Sequence, residues 1–211
     1  MQERVSIAVP TGALFDGARA LLKDSGLAAV EIGRQLLVEG DGVRLILVRP
    51  SDVPAYVDHG AADLGIVGKD VLWETPGSHY ELVDLHFGAC RLVLAVPNAS
   101  TLNGPPTWPP LLRVATKYPR TAAAWFEARG QAVEVVQLHG SVELAPQVGL
   151  VDGIVDLTAT GTTLRENGLR IAAVLGESTA RIIANQASLK TRTAAVQAIV
   201  ARLREAAFRA G

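Results

Sequence analysis

Asp156 stands in the run Ile154-Val155-Asp156-Leu157, whose β-branched and aliphatic members read as a buried strand, with no basic residue alongside to neutralise the carboxylate. An unpaired charge costs free energy to bury, so its presence there points to a ligand. The chain continues Thr158-Ala159-Thr160-Gly161-Thr162-Thr163, then a helical stretch over 164–167 with Gly168 as its left-handed stop. A strand, a loop of small residues and a helix start together make a cradle for phosphate. Free backbone N–H groups and the positive end of the helix dipole face the anion, hydroxyls add donors, and Gly161 lets the backbone approach without a Cβ in the way. An acidic residue just before such a loop reaches the hydroxyls of a sugar that carries the phosphate. The same pattern also caps ordinary helices, and spacing alone leaves both readings open. It is not a Walker loop, since no lysine follows the glycine.

The elements that must hold this loop follow from the flanking pattern. A strand over 5–9 turns through Pro10-Thr11-Gly12-Ala13 into a helix over 14–22, and a strand over 45–48 ends at Arg49-Pro50, where Ser51 is expected to cap a helix through about residue 60. Asp63 comes twelve residues after Ser51 and is followed by Ile66-Val67 and the turn Gly68-Lys69-Asp70. Ser141 likewise starts a helix, Asp152 comes eleven residues later, and Ile154-Val155 and the threonine loop follow. This repetition predicts an α/β fold of two similar lobes with a cleft between them, the type II periplasmic-binding-protein architecture. Strands over 81–87 and 91–96 follow the first half of the repeat, and the second of them carries the chain into the other lobe. A strand over 181–184 returns it. These two crossovers put residues 1–92 plus 182–211 in the first lobe and 93–181, with the loop, in the second. Strands over 113–115, 131–138 and 169–175, a helix over 121–128 and an amphipathic closing helix over 191–210 complete the pattern, and 98–110 is a surface loop. Lys117 and Arg120 fall at a strand-to-helix turn, where α/β folds place ligand contacts and where basic residues favour a nearby anion.

Composition narrows the function classes. The 211 residues are 49% hydrophobic but only 5% aromatic, so the core is aliphatic. With 20 Lys and Arg against 21 Asp and Glu the net charge is -1, which gives no global field to draw nucleic acid or an anionic membrane. Any polyanion must be met by local clustering. The single cysteine, Cys90, reads as a small buried strand residue in a reducing compartment. No basic region followed by a long apolar run opens the chain, and no window approaches a membrane span, so a cytoplasmic protein is expected. His59, His79, His86 and His139 lack partnered spacing for nucleophilic or metal chemistry.

The longer string SVELAPQVGLVDGIVDLTATGTTL, residues 141–164, resembles the signature of the ATP phosphoribosyltransferase family. Glu143, Gly149, Asp156, Thr160, Gly161, Thr163 and Leu164 fill the family positions, while Val151 stands where a smaller residue is usual. The likeness extends to VRPSDVPAYVDHGAADLGIVGKDVL (48–72), CRLVLAVP (90–97), RVATKYP (113–119) and ARIIANQAS (180–188), in family order along most of the chain.

The resemblance implies transfer of phosphoribose from phosphoribosyl pyrophosphate to the adenine ring of ATP, with release of pyrophosphate, as the opening step of histidine biosynthesis. It implies catalytic roles for Arg34, Glu143 and Asp156, with Arg34 neutralising the departing pyrophosphate. Asp156 and Thr158, Ala159, Thr160, Gly161, Thr162 and Thr163 then hold the ribose and its phosphate. If the two lobes match, the turn Gly68-Lys69-Asp70 faces that loop across the cleft, which makes Lys69 and Asp70 candidates for the nucleotide, and Arg49 and the turn residue Lys117 join the expected substrate contacts. Exposed helix-start positions are the plainer reading of Lys69 and Asp70. Mg²⁺ arrives on the substrate phosphates, since no His/Cys cluster or Asp-rich loop is present to cage it. Thr11 and Ala13 depart from the family, which carries Lys and Arg there. The family extension that binds histidine is not found after the closing helix, so the short form is implied, as a homodimer working with a regulatory subunit that resembles a histidyl-tRNA synthetase. Two other classes stay open: a two-lobed binding or sensor module without catalysis, and a different phosphoribosyltransferase, which usually carries two adjacent acids before its loop.

Overall fold

Short aliphatic runs separated by glycine-bearing turns build one sheet in each of two units, Met1–Gly88 with Thr179–Gly211, and Ala89–Ser178. A computed structural model describes residues 4–27, 35–103 and 108–210. Its strands are β1 (Val5–Pro10), β2 (Leu37–Glu39), β3 (Val43–Val48), β4 (Leu64–Gly68), β5 (Tyr80–Asp84), β6 (Cys90–Pro97), β7 (Leu111–Thr116), β8 (Ala132–Gln137), β9 (Gly153–Thr158), β10 (Leu169–Ser178) and β11 (Ala180–Ala184). The helices are α1 (Phe15–Asp24), α2 (Val53–Asp58), α3 (Lys69–Glu74), α4 (Pro119–Glu127), α5 (Thr162–Glu166), α6 (Gln186–Thr191) and α7 (Thr193–Ala210).

The first sheet runs β2-β3-β1-β4-β11-β5 and the second β10-β6-β9-β7-β8. In each, three parallel strands are followed by two antiparallel ones: β3-β1-β4 then β11-β5, and β8-β7-β9 then β6-β10. The registers match as well. Ile7 pairs with Leu64 and Ala8 with Gly65, as Val114 pairs with Gly153 and Ala115 with Ile154.

An aspartate locks each parallel pair. Asp63 donates its N–H to Ser6 O at 2.9 Å and accepts the Ser6 N–H on Oδ2 at 2.7 Å. Asp152 donates to Arg113 O at 2.9 Å and accepts the Arg113 N–H at 2.8 Å. The repeat expected from the sequence is therefore a repeat of hydrogen bonding. The chain leaves the first unit at 88/89 and returns at 178/179, earlier than 92/93 and 181/182, because β6 and β10 pair from Pro97↔Leu169 to Cys90↔Ser178 and so lie in one sheet along their whole length.

Both faces of the first sheet are covered. Ile7, Val9, Leu45, Ile66 and Ile182 pack with α1 and α7 on one side, while Ala8, Val67 and Ile183 pack with α2 on the other. In the second unit Val93, Ala95, Ala115, Ile154 and Leu169 form a core with Val142 and with Leu164 of α5. Trp108, Trp125 and Phe126 meet at tilted and edge-to-face angles in an aromatic cluster capped by Arg129, whose guanidinium lies 3.8 Å from the Trp125 ring centre.

Several element boundaries differ from expectation for local reasons. Ser51 caps no helix: Pro50 presets a 3-10 turn over Pro50–Asp52, and the Ser51 hydroxyl donates to Asp52 instead. Ser141 is left-handed (φ 46°) and leads only into a 3-10 turn, Val142–Leu144. The strand expected over 81–87 stops at Asp84, where His86 at φ 58° turns the chain. The closing helix expected over 191–210 is α7, which starts at Thr193 because Arg192 leaves the helical path after α6 and sends its guanidinium to Asp63 at 2.6 Å and Arg4 O at 2.8 Å. Among the described residues no helix is long and apolar enough to cross a membrane.

Candidate functional site

Asp156 is the fourth residue of β9, one position after Val155, which is wholly buried against β7. Across the other edge the register sets it opposite Val93, so no charge meets it from β6. The carboxylate is half-buried. Burial pushes its pKa up; the Leu157 N–H and the Lys117 charge pull it down and the Glu143 charge pushes it up, and the net shift is upward. Asp156, Lys117 and Glu143 thus share one electrostatic neighbourhood, although 39 residues separate Lys117 from Asp156. Lys117 follows β7 and is exposed, and Glu143 sits half-buried in the 3-10 turn.

The threonine loop is ordered by its own hydroxyls. Gly161 donates its N–H to Thr158 Oγ1 at 2.8 Å, and the hydroxyls of Thr160 and Thr162 are 3.0 Å apart. Gly161 takes φ 75° as the residue before α5, a conformation that a β-carbon strains, and a Cβ there would lie 3.2 Å from Arg165 Nη1. Ala159, Thr160, Thr162 and Thr163 are exposed. Gly168 ends α5 at φ 67°, as expected from the sequence, while the helix itself begins at Thr162 rather than 164.

Two arginines join the loop that sequence reasoning did not single out. Arg165 folds back from α5, donating to Thr160 O and to Thr162 Oγ1, each at 3.0 Å. Its place four residues after Gly161, one helical turn on, was the available signal. Arg91 pairs with Thr158 in the β6–β9 register, and no ion pair or hydrogen bond engages its guanidinium among the described residues. No sequence spacing could have placed it there, because the contact depends on an antiparallel register. Arg91, Thr160, Gly161, Leu164, Arg165 and Arg170 line one open groove of about 570 Å³.

The remaining expected residues lie in the first unit. Arg49 is exposed, ahead of the 3-10 turn. Gly68 is buried, Lys69 is ion-paired with Glu81, and Asp70 is 8% exposed. Glu81 and Asp84 also pair with Arg181, opposite Asp84 on β11. Thr11 turns inward, donating its N–H and hydroxyl to Val48 O. Arg34 lies outside the described residues. Among the described residues no group of three or more His, Cys, Asp or Glu stands together to hold a metal. His79 Nδ1 lies 2.9 Å from Asp58 Oδ1 in the first unit.

A family model described as HisG: ATP phosphoribosyltransferase matches residues 49–205. An ATP phosphoribosyltransferase of Rubrobacter xylanophilus is 53% identical over 200 residues, 92% of this chain and 93% of that relative. The solved ATP phosphoribosyl transferase (HisG:HisZ) complex from Thermotoga maritima superposes with a TM-score of 0.83 at 35% identity, covering 97% of this chain and 99% of that one. The periplasmic aliphatic sulphonate binding protein SsuA from Escherichia coli gives 0.63 at 16% identity over 98% of this chain and 73% of its own, a likeness of fold alone.

Proposed function

The chain belongs to the ATP phosphoribosyltransferase family, and from that premise we propose how its residues divide the work. The reaction is transfer of the phosphoribosyl group from phosphoribosyl pyrophosphate to ATP, the first step of histidine biosynthesis. At the anomeric carbon the bond to pyrophosphate breaks, its electron pair leaving with the oxygen, and a bond to an adenine ring nitrogen forms. The protein's contribution is to hold the reactants in line and to stabilise the charge that develops.

The observation that carries the assignment is a half-buried Asp156 with an uncharged Val93 opposite it on β6, two residues short of the end of β9, where a loop presents exposed threonines around a left-handed glycine. Asp156 accepts hydrogen bonds from the ribose hydroxyls, and the N–H groups and hydroxyls over 158–163 bind the 5′-phosphate. Lys117 balances both anions. Arg165 fixes the loop, and Arg91, uncommitted beside Thr158, adds a guanidinium for phosphate oxygens. Glu143 contacts adenine or ribose. Arg34 neutralises pyrophosphate, and Arg49, Gly68, Lys69 and Asp70 bind the nucleotide. Mg²⁺ travels on the substrate phosphates, consistent with its preference for phosphate and water oxygens. In this reading the protein works in the cytoplasm as a homodimer with a regulatory subunit; the HisG:HisZ composition of the Thermotoga maritima complex supports the second subunit.

Mixing the protein with ATP, phosphoribosyl pyrophosphate and Mg²⁺ and following the ultraviolet absorbance of the modified adenine tests the reaction. Product formation that Asp156→Asn and Gly161→Val both depress is the expected outcome. Undiminished turnover in both variants contradicts the residue assignment.

A further inference from the structure

The two units are built on one hydrogen-bonded plan, so each position in the second has a counterpart in the first that serves as an internal control. Thr116 is the last residue of β7 and is wholly buried. Its hydroxyl donates to Val155 O at 2.6 Å and accepts the Tyr118 N–H at 2.9 Å. Those two bonds fix the carbonyl of the residue before Asp156 and the amide of the residue after Lys117.

The shared register identifies the corresponding residues. One step beyond the Ala8–Gly65 and Ala115–Ile154 pairs, Val9 and Ile66 stand where Thr116 and Val155 stand. Val67 then answers to Asp156 and Pro10 to Lys117. Val9 and Val67 are both wholly buried. The scaffold therefore closes with valine at this point, and the hydroxyl appears only in the unit that also carries the acid and the lysine. All three polar residues are present together or absent together.

We propose that Thr116 is a positioning residue for phosphoribosyl pyrophosphate binding, its buried hydroxyl clamping the β7 turn to β9 so that Lys117 and Asp156 are held in register for one ligand. The inference rests on the assignment of Asp156 and Lys117 to that ligand. A hydroxyl with both its donor and acceptor used has one orientation, and it passes that rigidity to both peptide groups.

Thr116→Val removes both bonds at nearly constant volume, and Thr116→Ser keeps them. Steady-state kinetics of the full chain, with its regulatory subunit where turnover needs it, are compared for these variants and for Asp156→Asn. In the valine variant KM for phosphoribosyl pyrophosphate rises about tenfold, a conversion of roughly one lost hydrogen bond. KM for ATP stays within about twofold, and serine restores the wild-type value. The acidic limb of kcat/KM also moves to higher pH, because Asp156 loses part of the lysine's field. If the valine variant does not fold, Thr116→Cys, close in volume with a weaker donor, is read in the same way. Unchanged KM and pH profile in the valine variant, beside a raised KM in Asp156→Asn, overturn the positioning role alone. An unchanged KM in Asp156→Asn overturns the ligand assignment beneath it.

Discussion

The turn after β4 and the turn after β9 leave equivalent strands of two similarly ordered sheets, yet their charges are arranged in opposite ways. After β4, Gly68 passes straight into α3, Lys69 is ion-paired with Glu81, Asp70 is buried, and Arg181 sits among Glu81 and Asp84. After β9, Asp156 faces Val93, the loop threonines are exposed, and Arg91 has no partner among the described residues. One turn satisfies its charges internally, while the other leaves them for a ligand. A binding site is here marked less by which charged residues occur than by which remain unpaired once the scaffold is closed.

Breaking the open turn has the largest expected effect. Asp156→Asn lowers kcat/KM for phosphoribosyl pyrophosphate by about 100-fold, or roughly 3 kcal/mol of transition-state stabilisation. Lys69→Gln in the paired turn lowers it by less than about tenfold. A larger loss at Lys69 would mean that its ion pair opens during turnover.

The locking aspartates sharpen the comparison on the stability side. Asp63 is buried and accepts from the Ser6 N–H and hydroxyl, the Ser188 hydroxyl and Arg192. Asp63→Ala costs about 3 kcal/mol, since it takes the carboxylate away from the half-buried Arg192 guanidinium, the Ser6 N–H and two hydroxyls. Asp152, one-third exposed, has its carboxylate bonded among the described residues to Arg113 alone, and Asp152→Ala costs about 1 kcal/mol. Equal losses in urea unfolding would show that the two locks are not used differently.

Titration separates the same two classes with opposite signs. Burial pushes Asp63 up, but the Ser6 amide, the hydroxyls of Ser188 and Ser6, and Arg192 outweigh it and hold the pKa below the ordinary 3.8. Its stabilisation is therefore complete above 3.8 and is lost as pH falls through the lowered value. Asp156 is raised, so without ligand it gives up stability as pH rises from 3.8 through its folded value. Asp156→Asn should accordingly be more stable than wild type at neutral pH, with the difference shrinking on acidification. A helix end gives an effect of similar size to the Asp152 lock: Asn185 caps α6 by accepting the Ser188 N–H at 2.9 Å and donates its Nδ2 to Val57 O at 2.7 Å, and Asn185→Ala costs about 1–2 kcal/mol.

Local pattern carried much of this organisation. Apolar runs, the Asp63 and Asp152 repeat, the Gly161 loop and the Gly168 stop were legible because each depends on a few adjacent residues. The threonine loop and Asp156 stood out as a candidate site for the same reason. Arg91 was not, since only the pairing of β6 with β9 sets it beside Thr158. Nor could spacing show that Lys69 is paired with Glu81 or that Thr116 joins β7 to β9. The Ser51 and Ser141 helix starts failed because Pro50 favoured a 3-10 turn and Ser141 took a left-handed conformation.

A crystal of the protein with phosphoribosyl pyrophosphate tests the central claim most directly. The account predicts the 5′-phosphate within hydrogen-bond distance of the N–H groups over 158–163, with the Asp156 carboxylate on the ribose hydroxyls. A phosphate bound away from that loop, with no ribose hydroxyl on the Asp156 carboxylate, contradicts it.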